Sequence, residues 1–377
     1  MKVTLYGAQD TIPFPDTNHG RLLQKYFDPI RKYGSTFAVE NAQTTLGFIQ
    51  VEQIILPYTI AALGKSNSYV CAPQSHYIDY AYEELTHVSS VFSRIAGRIL
   101  IPTLGLLCKL GSLNKTIMVN NWLLSTNLYP QLPASYLPAI NAALCKNYPE
   151  HSIIFRSLDL GFRAPLKKHL ADSNFSMVMS RRVHIVFKKD RDIWRKNNIK
   201  NDQRLQRKTK YQPVKHKDFK PADFPRIQKL YNDLYVDKYS HFNPKFSVEF
   251  LLYLWENNIW DFQGWKFNGQ LDAVTATFAI NGVRTAPLIG YDTKVPQKEG
   301  LYRLAYLDML EAGRKRNEHI HCSAGVAAYK QGRGAQSFFE YNALYDAHLP
   351  FHRRLPWNTI RWLMDNNIAP MMLKQNL

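Results

Sequence analysis

Two Asn-Gly pairs, set one strand length apart, constrain this chain more than any other feature. Residues 260–267, 271–280 and 283–291 are rich in β-branched and aromatic side chains, and Asn268-Gly269 and Asn281-Gly282 separate them. Both central residues of a type I′ turn need positive φ, which Asn and Gly tolerate best, so the spacing predicts three consecutive antiparallel strands. A loop over 295–300 follows, and then a helix over 301–317. That helix carries apolar Leu301, Leu304, Ala305, Leu307, Leu310 and Ala312 at near-helical spacing and ends on Arg314-Lys315-Arg316. A short strand at 319–322, a second helix at 324–331 stopped by Gly332 and Gly334, and a last strand at 337–345 complete the run. Upstream, 204–214 reads as a strand, and Asp223 and Ser247 can cap helices running to 239 and 257.

The first half has a similar order. Strands are expected at 44–60 and 68–72, a helix at 78–98, and then strand 116–125, helix 135–147, strand 152–157, helix 164–172 and strand 175–188. At 377 residues the chain exceeds one compact α/β unit. The expectation is therefore a structural duplication: an N-terminal domain at 1–190, a basic connector at 191–217 and a C-terminal domain at 218–377.

The order of elements in the second half resembles the GNAT superfamily of acyl-CoA-dependent N-acyltransferases. Gln297-Lys298-Glu299-Gly300-Leu301-Tyr302 stands where that family places its phosphate loop, [QR]-x-x-G-x-[GA], and departs from it only at Tyr302. The position makes physical sense on its own terms. A helix N-terminus offers unpaired N–H groups and a positive dipole end, Gly300 allows close approach, and Lys298 and Arg303 add charge. The corresponding loop of the first half, 126–133, has no glycine and two prolines, so donor binding is assigned to the second copy. The fold class implied is α/β (α+β), two tandem GNAT-like domains, each a mixed central sheet flanked by helices. Such tandem arrangements resemble the Fem-type transferases and, more loosely, GNAT-like maturases that place fatty acyl groups on ribosomal peptides.

The resemblance implies a thioester co-substrate, acyl-CoA or an acyl carrier protein, lying where two neighbouring strands part, with Ile289, Tyr291 and Leu301 among its contacts. Tyr329 is the candidate proton donor to the departing thiolate, with Lys330 as its neighbour and alternative. Asp292 is either an amine-binding base or a turn residue. Glu340 on the last strand or His348 just after it is the other candidate base. Tyr341 and Tyr345, with Asn121, Trp122 and Arg156 of the first half, are candidate acceptor contacts, the first-half residues having hydrogen bonding in a core as their other role. Ser323 reads as a helix cap, since no G-x-S-x-G elbow surrounds it.

Composition narrows the partners. Forty-eight Lys plus Arg against thirty Asp plus Glu give a net charge of +18, which suits polyanions: CoA phosphates, an acidic carrier protein, nucleic acid or an anionic membrane. Residues 188–217 concentrate that charge and interleave Trp194 and Tyr211, as a nucleic-acid groove or a solvated connector would. Four well-separated cysteines without a CxxC support neither zinc nor disulfides and point to a reducing cytoplasm. No signal peptide or membrane span is expected. The apolar segment 99–108 reads as a buried helix, with an acyl chain or a membrane surface as its other possible neighbour. The reading is an N-acyltransferase acting on a primary amine of a small molecule or peptide side chain, without a metal. An aminoacyl-tRNA-dependent Fem-type transferase and a non-enzymatic RNA- or membrane-binding protein are the alternatives.

Overall fold

The structure, a computed structural model, describes residues 1–64, 66–87 and 91–375. Its contacts divide the chain into two units: unit 1 is Met1–Arg181, Tyr239–Lys245 and Phe339–Gln375, and unit 2 is Arg182–Lys238 and Phe246–Phe338.

Unit 1 contains β1 (Val3–Gly7), α1 (Asn18–Tyr33), α2 (Ser35–Ala38), β2 (Thr44–Val51), β3 (Ile54–Ala61), α3 (Tyr80–Glu84), α4 (Val91–Leu110), β4 (Thr116–Val119), α5 (Leu137–Asn147), β5 (Ser152–Asp159), α6 (Ala164–Asp172) and the start of β6 (Ser176–Val186). Unit 2 contains α7 (Asn197–Lys208), β7 (Gln212–Val214), α8 (Phe224–Tyr231), α9 (Val248–Glu256), β8 (Asp261–Phe267), β9 (Gln270–Ile280), β10 (Val283–Tyr291), α10 (Leu301–Arg316), β11 (His319–His321) and α11 (Ala327–Gln331). The chain then returns to unit 1 through β12 (Gln336–Tyr345), α12 (Phe351–Leu363) and α13 (Ala369–Gln375).

Strand order is β1-β2-β3-β4-β5-β12 in unit 1 and β7-β8-β9-β10-β11-β6 in unit 2. The ladders match: three antiparallel pairs, one parallel pair (β4 with β5, β10 with β11), then one antiparallel pair. Each unit is thus a mixed α/β sheet with helices on it. The expected Asn-Gly turns are present, with φ of 50° and 81° at Asn268 and Gly269 and of 51° and 72° at Asn281 and Gly282.

The closing strands are exchanged. Residues 185 and 186 of β6 pair with β11 of unit 2, and Glu340 to Tyr345 of β12 pair with β5 of unit 1. A division at 1–190, 191–217 and 218–377 therefore does not describe the units. Nor is 191–217 only a basic connector. Its middle, 197–208, is α7, with Ile199 and Asp202 buried, so the strand expected from 204 is confined to 212–214. The strand expected at 68–72 is a turn, and β4 stops at Val119.

Alternation along β5 shows how unit 1 is layered. Ile153 and Phe155 pack with Leu137, Ile140, Leu144 and Leu170 of α5 and α6, whereas Ile154 packs with Cys108, Trp357 and Ile360 of α4 and α12. Between β3 and β4 unit 1 carries residues 62–115, where unit 2 has only the Asn281-Gly282 turn. The helix in that insertion, α4, buries Cys108 with Ile101 and Leu104 half-buried beside it, but it leaves Ile95, Ile99, Leu100, Leu106 and Leu110 exposed. The segment at 99–108 is helical as expected but only one face of it is buried.

In unit 2 the Trp265 indole N–H donates to Asp308 Oδ2 at 2.7 Å inside the core under α10. Burial pushes the Asp308 carboxyl up to about 8, against the lowering effect of that bond. The unfolded chain loses this proton near 3.8 while the folded chain holds it to about 8. Stability from this group therefore falls as pH rises through that window and is level on either side, with a slope of at most ~1.4 kcal/mol per pH unit. Asp308→Asn, which keeps the acceptor, is expected to melt close to the native protein at pH 4 and clearly above it at pH 8. Equal melting differences at the two pH values would contradict this.

Candidate active site

β10 and β11 run parallel through Val283, Arg284 and Thr285 against His319, Ile320 and His321, and the Thr285 hydroxyl donates to the His321 carbonyl at 3.0 Å. There the pairing ends. The register of β10 on β9 shifts between Thr285 and Leu288, across Ala286 and Pro287, and proline brings no N–H with which to continue a ladder. The next residues of the two chains are therefore free to diverge. On the β11 side they are Cys322 and then Ser323, which has a φ of 57°. The same step recurs in unit 1, where β4 and β5 pair as far as Val119 and Phe155, and Arg156 is followed by Ser157 with a φ of 60°.

Lys330 holds the loop after β11. Its buried ammonium donates to the carbonyls of Cys322 at 2.6 Å, Ala324 at 2.7 Å and Ser323 at 3.4 Å. Those bonds make it a positioning residue for a turn in which Gly325 and Val326 also have positive φ. Next to it, Tyr329 packs against Tyr302 and Tyr306 at 5.0 and 5.3 Å, and the Arg333 guanidinium lies 3.5 Å from its ring centre. The Tyr329 hydroxyl is buried and has no hydrogen-bond partner among the described residues. Burial raises its pKa against the pull of Arg333, so the phenol keeps its proton at neutral pH. The Tyr306 hydroxyl reaches Cys322 Sγ at 3.4 Å, and burial raises that thiol too.

The turn before α10 is the expected phosphate seat. Gly300 has a φ of 67°, and no side chain among the described residues caps the helix. Leu304 N–H bonds the Gly300 carbonyl, so the N–H groups of Leu301, Tyr302 and Arg303 precede the intrahelical ladder. Gln297 and Lys298 are exposed, and Glu299 pairs with Lys210 at 3.3 Å. A Cβ on Gly300 would lie 2.5 Å from Leu205 Cδ2, so α7 covers part of this turn. Asp202, also on α7, is buried and takes Arg303 and Arg333 at 2.6 Å each. Two guanidiniums on one carboxylate leave a positive excess beside Tyr329 and the start of α10. Tyr302 sits over this arrangement, 5.9 Å from Tyr291. Ile289 is buried in β10, and a Cβ on Gly290 would meet the backbone of α8 at 2.8 Å.

Other expected site residues lie elsewhere or are otherwise engaged. Asp292 is bound by Arg226 at 2.7 Å and by the Lys294 N–H at 2.9 Å. Burial favours its neutral form, but those donors outweigh it and hold the carboxyl below its usual range, which makes it a turn residue and a poor base. Glu340, Tyr341, Tyr345 and His348 belong to unit 1 because β12 pairs with β5. Glu340 is buried in an ion pair with Arg181 at 2.8 Å, and Tyr341 lies under the Lys167 ammonium. His348 stacks on Tyr345 and contacts the His151 carbonyl at 3.1 Å. Trp122 is fully buried against Tyr26 and Phe27, and Asn121 donates to Thr59 and the Val70 carbonyl, so both are core groups of unit 1. Arg156 is buried and donates to the same carbonyl at 2.6 Å, beside a cavity of about 10 Å³ that has room for a water rather than an acceptor. Sequence reasoning passed over Asp202 and Arg333, whose acid-to-base spacing crosses 131 residues and leaves no local pattern.

No protein-family model and no curated protein matches the chain. Similar solved structures include a conserved protein of unknown function from Bacteroides thetaiotaomicron, at 12% identity over 89% of this chain and 100% of that one, with a TM-score of 0.48. FemX is similar at 7% identity over 60% and 81%, with a TM-score of 0.46, and L-PGS from Bacillus licheniformis at 13% over 63% and 79%, with a TM-score of 0.45. Likeness this distant transfers no residue role to the present chain.

Proposed function

We propose that unit 2 is a transferase centre that moves an acyl or aminoacyl group from an activated ester or thioester onto a primary amine. The observation that carries this reading is the unpartnered Tyr329 hydroxyl beyond the point where the β10–β11 pairing ends. A buried phenol without a partner calls for a reason, and a proton donor awaiting a leaving group supplies one. In the reaction the amine nitrogen attacks the carbonyl carbon and a C–N bond forms. The bond to the leaving sulfur or oxygen breaks with its electron pair, Tyr329 protonates that atom, and the phenolate recovers its proton from the ammonium. Arg303 and Arg333 supply positive charge for phosphates on the donor, next to the first N–H groups of α10.

A second reading of the donor has its own support. The outer positions of α7 are basic and exposed at Lys200, Arg204, Arg207 and Lys208, while its inner side meets Gly300 and Arg303. A groove of about 400 Å³ in unit 2 is lined by Lys188 and Arg314 but also by Asp190 and Glu318, and Arg314 covers the Trp194 ring at 4.4 Å, so the basic face of α7 rather than this groove carries the charge. That basic face favours an aminoacyl-tRNA donor over a free nucleotide thioester. Calorimetry of the whole chain against an acyl-CoA chain-length series and against charged tRNA separates the two. Binding of acyl-CoA alone returns the donor to a thioester, binding of charged tRNA alone establishes the aminoacyl donor, and binding of neither removes the transferase reading.

A further inference from the structure

The insertion at 62–115 supplies a surface that the transferase reading does not use. On α4, Ile95, Ile99, Leu106 and Leu110 are 55%, 64%, 58% and 72% exposed. Their spacing of four, seven and four residues, with exposed Pro102 between, puts them on one face of a helix. Leu100, at 66%, widens the stripe. The opposite face, with Ile101, Leu104 and Cys108, is held by Trp357 and Ile360, so the helix is apolar on both sides and only one side is covered. No described helix is long and apolar enough to cross a membrane.

We infer that α4 seats this protein on an anionic phospholipid surface, lying in the interface with its outer stripe among the acyl chains. Charge favours this occupant. The helix contains Arg94, Arg98 and Lys109 and no acidic residue, so phospholipid phosphates meet its flanks while the leucines and isoleucines enter the apolar layer. A second copy of the chain would bring a helix of the same sign, with nothing to neutralise it. A specific peptide would need polar anchors along the stripe, and the one hydroxyl near it, Thr103, is already bonded to the Ile99 carbonyl at 2.8 Å. Elsewhere in unit 1, α12, which holds the inner face of α4, and α13 leave Phe351, Trp362 and Leu373 exposed, with Arg361 and Lys374 on the same helices. Aromatic and basic side chains of this kind sit well at a headgroup boundary.

The experiment is co-sedimentation of the full chain with phosphatidylcholine vesicles and with vesicles that also contain phosphatidylserine. Strong binding to the anionic vesicles, weakened by salt, is expected. Ile99→Glu and Leu106→Glu, both at exposed positions, should each lower the partition coefficient about tenfold without moving the melting temperature. Arg98→Glu should remove most of the preference for anionic lipid. Failure of the native chain to sediment with either vesicle overturns the inference, as does equal binding by the glutamate variants. So does concentration-dependent dimerisation that Leu106→Glu abolishes in a chain that ignores lipid.

Discussion

Tyr329→Phe is expected to slow transfer from a bound donor about 10²–10⁴-fold, the usual worth of a positioned general acid. It should leave donor affinity and the melting temperature where they were or raise the latter slightly. The hydroxyl makes no hydrogen bond among the described residues, so its removal breaks none and relieves a buried polar atom. The two readouts together distinguish catalysis from packing: a tyrosine kept only for its ring would show unchanged rates in the Phe variant. Single-turnover measurements with whichever donor binds, alongside thermal melts, make the comparison. Unchanged transfer by the Phe variant would leave the proposed centre without a proton donor and would count against the mechanism.

Asp202→Ala is expected to be the most damaging single change in unit 2, at about 3–5 kcal/mol. The carboxylate is buried and holds Arg303 of α10 and Arg333 after α11, both at 2.6 Å, from its place on α7. Without it, two guanidiniums share a partly dry site with no counter-charge, and Arg333 can leave the face of Tyr329. Chemical denaturation should show the midpoint falling with little change in slope, since the surface exposed on unfolding stays the same. Asp202→Asn keeps the acceptor but not the charge and should fall between the two. A midpoint for Asp202→Ala within error of the native one would mean that α7 is held by Ile199 and Leu205 alone.

Local chemistry in the sequence was informative where a feature depends on neighbours. The two Asn-Gly turns, the helix at Leu301 and the short strand at His319 follow from turn propensity and periodicity, and the structure has them within a few residues. The cap at Ser247, which accepts from the Phe250 N–H, is of the same kind. Features set by distant pairing were not legible. Glu340 and His348 read as part of the second half because the chain delivers them there, yet the ladder of β12 lies on β5. Residues 204–208, read as the start of a strand, close α7 instead, and Gln, Arg, Leu and Lys are good helix formers. The opening strand and helix were missed. β1 is five residues long, and Pro29 inside α1 masks a helix that the Thr17 hydroxyl caps at 3.0 Å.

The exchanged strands bear on how this chain is made. A ribosome that has extended the polypeptide as far as Phe338 has already produced β4 and β5, but the strand that completes their sheet is still inside the chain's own unsynthesised tail. Through most of translation β5 therefore offers an open edge, the kind of surface that recruits chaperones or sticks to other nascent chains.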